Sequence, residues 1–298
     1  MKTIRKKIST AWMSGLILAF LIGCTGKFED YNKDVTGIYT KDLAADYNIL
    51  STPIQQMQLK IYDYNPAWEF QVAQNLNADI YSGYMMTPDL TGNNNQNYAL
   101  TDGWNLFAWS TPYDNVMRAA HTVLPIAKSL GSNDYYSWAK ILRVAGMHRV
   151  TDIYGPIVFS KYGVINADGS IDYDSQQDVY NQFFADLDSA INILTPLAQS
   201  GSQSFAKADL VYSGDVKSWV KYANTLRLRL AMRISSVDPN LAKTQGEAAL
   251  ANSVGLLSSG ADDNCIVNIG HYRPPFKYHH ILGRHSLGST NGIIYGGI

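Results

Sequence analysis

Cysteine is almost missing from this chain: 298 residues hold two, Cys24 and Cys265. That excludes a disulfide framework, so stability has to come from an ordinary apolar core. Charge is thin as well, at 16% of residues, and no stripe of lysine and arginine marks a nucleic-acid surface. Long apolar runs are lacking too. The one candidate, residues 11–22, is well short of the roughly 20 residues a membrane-spanning helix needs. Familiar catalytic signatures are absent: there is no G-x-S-x-G elbow, no H-E-x-x-H, no P-loop and no G-x-G-x-x-G after a strand.

What is present begins at the N-terminus. Lys2, Arg5, Lys6 and Lys7 make a basic start ahead of that apolar run, the pattern of a secretory signal peptide. Leu21-Ile22-Gly23-Cys24 then places a small residue directly before cysteine and resembles the bacterial lipobox. Cleavage before Cys24 and acylation of its sulfur would tether a chain that is otherwise soluble, and several acyl chains hold far better than one. A signal peptide with an incidental cysteine is the alternative. Taking the four basic residues ahead of Cys24 from a chain with 24 basic and 25 acidic residues leaves a net charge of about −5.

The 20 Tyr and 6 Trp are the less usual feature. Each offers an apolar face and a polar edge, which suits sugar rings, although most such residues in any protein simply pack. Elsewhere the helical period dominates. It predicts helices over 135–154, capped by Asn133 or Asp134 and stopped by Gly155-Pro156; over 178–194, ended by Pro196; and over 214–234, opened by Gly214-Asp215. Weaker periodicity covers 41–62, 66–81, 106–130 and 241–251. The connections 83–104, 155–174 and 197–213 are long and rich in Gly, Asn, Asp, Ser and Tyr, as functional loops often are.

Residues that could do chemistry are few. His148 and Asp152, one helical turn apart, fit half a metal site or, more simply, a hydrogen-bonded pair. Asp79, Asp89 and Asp102 could include a glycosidase pair, yet capping and loop solvation explain them equally well. Arg227, Arg229 and Arg233 in "RLRLAMR" suit an anionic ligand or, more plainly, a helix whose C-terminal half carries cations that complement its dipole and pair with nearby acids. No catalytic residue, metal site or cofactor is assigned.

Three stretches, "AKILRVAGMHRVTDIYGPIVFSKYG" (139–163), "DVYNQFFADLDSAINIL" (178–194) and "DLVYSGDVKSWVKYANTLRLRLAMRIS" (209–235), closely resemble consecutive blocks of the SusD/RagB family of surface glycan-binding lipoproteins. They stand in family order, and the acidic "KFED" after Cys24 resembles the surface-export signal of these lipoproteins. The resemblance spans roughly residues 16–269. It implies a mainly α, SusD-like fold of tetratricopeptide-like helix pairs with long irregular loops. It also implies an outer-membrane lipoprotein facing the cell exterior, which captures oligosaccharides, or peptides in the RagB branch, and passes them to a SusC-like TonB-dependent barrel. Such proteins are not enzymes and bind no nucleic acid. The rival readings are an envelope glycan-processing hydrolase and a helical-repeat adaptor with no ligand.

On that reading the ligand face includes the connection 83–104: Tyr84, Tyr98 and Trp104 to stack on sugars, and Asn93, Asn94 and Asn97 to bond hydroxyls. For Trp109 and Tyr113 core packing is the expectation. The expected organisation is a signal peptide (1–23), a lipid-anchored linker (24–40), the N-terminal part of a SusD-like helical domain (41–270) and an atypical tail (271–298). That tail holds four of the six histidines, His271, His279, His280 and His285, and no acidic residue. Its abrupt onset suggests a frameshift near residue 270 rather than a metal site. Members of the family are considerably longer, so the expectation is a chain truncated at its C-terminus.

Overall fold

The computed structural model describes residues 48–61, 67–86, 95–258 and 265. Cys24, Asp89, Asn93, Asn94 and the histidine-rich tail lie outside them. Nine α-helices occur among the described residues: α1 (Asn48–Lys60), α2 (Ala67–Phe70), α3 (Asp79–Tyr81), α4 (Asp102–Pro112), α5 (Arg118–Ser129), α6 (Asn133–Tyr154), α7 (Gln176–Gln199), α8 (Val216–Arg233) and α9 (Pro239–Ala251). Two π-helical segments continue the rods, Gln71–Ala78 between α2 and α3 and Tyr113–Met117 between α4 and α5. No strand occurs among the described residues; Ile157 and Asp174 form an isolated antiparallel bridge. The fold is mainly α, as expected.

From α5 onward each helix packs on its neighbours in the chain: α5 on α6, α6 on α7, α7 on α8, α8 on α9. Such serial packing buries one continuous core instead of closing a bundle. The periodic faces supply it. Ile141, Leu142, Ala145 and Val150 of α6 are buried, as are Phe183, Leu187 and Ile191 of α7 and Val220, Leu226 and Leu230 of α8. Ion pairs pin the α6–α7 seam, where the buried Asp186 carboxylate meets Arg143 and lies 3.4 Å from Lys140.

Several boundaries differ from those predicted. Asn133 and Asp134 lie inside α6, not before it; the N-cap position is Ser132, and the Asp134 side chain instead accepts from the Tyr135 N–H at 2.8 Å. Pro196 does not end α7. It removes one ladder donor near the C-terminus, a modest loss, while the buried Ala198 holds the last turn on the core. The actual stop is at Gly201 (φ +71°), where the Ser202 N–H donates back to Leu197 O at 3.0 Å in a Schellman closure. Asp215 caps α8 as predicted, accepting from the Lys217 and Ser218 N–H groups.

The connection between α7 and α8 is woven into the core. Phe205 is fully buried and stacks on Trp138 at 4.2 Å, and Trp138 meets Trp219 edge-on at 5.3 Å. Asp209 organises the same loop, accepting from the Val211 N–H (2.8 Å), the Gly214 N–H (2.8 Å) and Trp219 Nε1–H (2.9 Å). Gly214 is required here: its φ is +97°, and an added Cβ would come within 2.5 Å of the Ala206 backbone. From the far end of the chain, the buried Gln58 of α1 clasps the loop from both sides. Its Nε2 donates to Ala208 O at 2.9 Å and its Oε1 accepts from the Leu210 N–H at 2.8 Å.

Candidate functional site

The rod α2–π–α3 carries the first part of the site. Its π segment holds Gln74, Asn75 and Asn77, and widened turns of this kind are often found at functional positions. Both Asp79 oxygens accept amides at 2.7 Å, one from Gln74 Nε2 and one from Asn75 Nδ2, and Arg149 of α6 donates to Gln74 Oε1. These bonds fix the end of the rod, from which Tyr81, Tyr84, Met85 and Met86 project into solvent. The chain beyond it is anchored by Asn95. Fully buried, it donates to Leu76 O and Asn77 Oδ1, each at 2.7 Å, and accepts from the Thr101 N–H at 3.0 Å.

Tyr98 then takes a left-handed conformation, φ +61°. That is uncommon for a bulky residue and is maintained only where the surroundings impose it. Its ring stacks on Tyr81, with centroids 5.8 Å apart and planes inclined by 27°, yet 79% of Tyr98 stays exposed. The result is an amphipathic aromatic platform of two rings, and Tyr84, 89% exposed, follows three residues after Tyr81 in the chain.

Trp104 sits in the first turn of α4, not in the connection as expected, and is half-buried. The helix starts early because the Thr101 carbonyl accepts from the Trp104 and Asn105 N–H groups. Asn97 is exposed, and its Oδ1 accepts from the Ala99 N–H at 3.4 Å. Thus Tyr84, Asn97 and Tyr98 lie on the exposed return, Trp104 on an adjoining helix, and Asn93 and Asn94 outside the described residues. Tyr81 and Asn95 belong to the site and were not singled out from sequence.

Trp109 and Tyr113 pack, as expected. Trp109 meets Tyr113 at 4.9 Å, Tyr154 at 5.2 Å and the more exposed Tyr173 at 5.9 Å, and the Tyr113 hydroxyl donates to Val158 O at 2.8 Å. Burial pushes the Tyr113 phenol well above its ordinary pKa. The connection 155–174 closes over this cluster through Asp174, which accepts from the Phe159 and Ser160 N–H groups at 2.9 and 2.7 Å. Partial burial favours its protonated form, but those bonds and the Ser160 hydroxyl outweigh it and hold the carboxyl below the usual range.

A second concavity, about 670 Å³, opens where the C-terminal ends of α6 and α8 meet the N-terminal turns of α7 and α9. Asp152 is its hub: Tyr180 donates to Oδ1 at 2.6 Å, Arg233 Nη2 lies 3.0 Å from Oδ2, and His148 Nδ1 is 3.3 Å from the same oxygen. Burial lowers the His148 pKa despite the carboxylate, which favours the neutral ring over the cation in this contact. Burial alone would raise Asp152; the His148 and Tyr180 hydrogen bonds and the Arg233 charge reverse that and lower it. His148 and Asp152 are therefore a hydrogen-bonded pair, and no cluster of three metal-ligating side chains exists among the described residues. Arg227 is paired as well, with Asp188 at 3.1 Å.

Comparison with known proteins agrees with this architecture. The family model described as SusD-like, the SusD and RagB outer membrane lipoproteins, matches residues 30–282. The chain belongs to the SusD/RagB family. A chitin-binding SusD homologue from Flavobacterium johnsoniae is 43% identical, with a TM-score of 0.69 over 74% of this chain and 45% of that one. A SusD homologue from Bacteroides vulgatus is 34% identical, also at 0.69, over 77% and 47%. A structure described as a chitin-binding protein is 32% identical, with a TM-score of 0.63 over 74% and 46%. No curated protein matches the chain. This SusD-like chain spans slightly under half the length of these solved relatives. The family match continues to residue 282, past residue 270 where the tail composition changes. Among the described residues no helix is long and apolar enough to cross a membrane.

Proposed function

We propose that this SusD-like protein is a non-catalytic cell-surface receptor that captures oligosaccharides by stacking them on the Tyr81–Tyr98 platform. The observation that carries the reading is the platform itself: paired rings held by a fixed scaffold and still open to solvent. A sugar C–H face loses water against such rings while its hydroxyls reach side chains such as Asn97. Preorganisation by Asn95 and Asp79 lowers the ordering cost of binding. Two relatives at 43% and 32% identity are described as chitin-binding, which supports N-acetylglucosamine oligomers as the first ligands to test. The hydrolase alternative loses support at Asp79, whose two oxygens are both occupied by amides.

Around this activity we place the expected setting: export through residues 1–23, acylation at Cys24, tethering at the outer membrane facing outward, and transfer of the captured glycan to a SusC-like TonB-dependent barrel. Calorimetric titration with chitotetraose, maltotetraose and a tetrapeptide tests the central claim. Binding of a saccharide that weakens roughly tenfold in Tyr98→Ala is the expected result. Peptide binding alone, or reducing ends that accumulate with time and vanish on changing one carboxylate, would refute it.

A further inference from the structure

The cleft around Asp152 is far from inert in its chemistry. Resting on the saccharide-binding reading above, we propose that it is a second saccharide site, selective for short neutral sugars that carry acetamido groups. Its volume of about 670 Å³ suits a small ligand. Charge argues first. The lining carries Arg233, Asp152 and Asp238; Arg233 is neutralised by Asp152 at 3.0 Å, and Asp238 is committed as the N-cap of α9, accepting from the Leu241 N–H at 2.9 Å. Among the described lining residues no cation is left over for a carboxylate or phosphate, so the cleft disfavours anions.

The lining side chains then set the ligand class. The side chains of Gln177 and Asn181 on α7 are exposed and make no hydrogen bond to a described residue. Gln176 spends its Nε2 on Thr151 O at 2.7 Å and keeps its amide oxygen as an acceptor. Carboxamides offer a donor and an acceptor on one planar group, the complement of an acetamido N–H and C=O. Ile234, Val237 and Leu241 add aliphatic lining for the acetyl methyl group, with Val237 82% exposed. Among the described lining residues the one aromatic, Tyr180, is buried, and its hydroxyl is held by Asp152 and Arg233. Recognition here is therefore by amide pairing, not by ring stacking as on the platform. The Asp152–Tyr180–Arg233 network is already satisfied and gives the cleft a fixed base before ligand arrives.

The test uses the full chain, ¹⁵N-labelled, titrated with triacetylchitotriose and with maltotriose, following the side-chain amide signals of Gln177 and Asn181 alongside calorimetry. Chitotriose should move both amides in the native chain and equally in Tyr98→Ala, while maltotriose moves neither. Replacing both, Gln177→Ala with Asn181→Ala, should weaken this second event about tenfold, the loss of one or two net hydrogen bonds. Platform affinity should stay within about twofold, as for independent sites. Motionless amides together with heats that Tyr98→Ala abolishes would overturn the second site and leave the receptor reading standing. Equal movement with maltotriose overturns the acetamido selectivity. Silence in both measurements with every saccharide removes both readings.

Discussion

Two long connections of similar composition have opposite fates in this molecule. Residues 200–215 and 82–101 are both largely polar, and each carries Gly, Ser, Asp and Tyr. The first sends Phe205 to the centre of the core and ties its backbone to Asp209 and Gln58. The second anchors itself with Asn95 and spends its aromatics on the outside. What separates them is one aromatic ring facing inward and one polar side chain that collects backbone donors. Loop length and composition alone do not separate a functional connection from a structural one.

That contrast breaks most visibly at Phe205. Phe205→Ala removes the ring stacked on Trp138 and should cost about 3–5 kcal/mol by chemical denaturation. Asp209→Ala comes next, at about 2–3 kcal/mol, because it strands buried donors that include Trp219 Nε1–H. Intrinsic tryptophan emission should shift with it. Acidification gives a smaller effect. The folded pKa of His148 lies below its ordinary 6.5, so the unfolded chain takes up a proton that the fold refuses, and stability should fall as pH drops below about 6.5. Asp152, also lowered, adds a further loss at more acidic pH, as pH falls below 3.8 and through its folded value. His148→Gln should flatten the upper part of that profile; an unchanged slope would show that another group is responsible. At the bottom of the scale, Tyr84→Ala should alter stability by no more than about 0.5 kcal/mol, with the melting curve as the check. A large loss there would mean that the platform is core after all.

Much of the fold was legible because burial follows the helical period: α6, α7 and α8 fall within a few residues of their predicted spans, and Asp215 is the cap it was read to be. Pro196 misled because a proline near a helix end costs only one bond when packing continues beyond it. The two π segments fall inside the weaker periodic stretches 66–81 and 106–130, where nothing marks them as π instead of α. In the candidate site, exposure of Tyr84 and Tyr98 was readable as aromatics in a polar connection. The Asn95 anchor was not, since within "NNNQN" nothing local separates the asparagine that turns inward from its neighbours. Tyr81 was missed because its partner Tyr98 is 17 positions away, beyond any local pattern.

The Gln58 clasp also carries a consequence in time. A chain made N-terminus first exposes α1 before α2–α9, yet Gln58 finds Leu210 only after another 152 residues have followed. At about 5–20 residues per second that interval lasts on the order of ten seconds or more. Helix α1 has α5 and α6 to rest on well before that, but the Gln58 amide stays without its two backbone partners until residues 208–210 arrive. Its clasp then locks the loop that holds the core together.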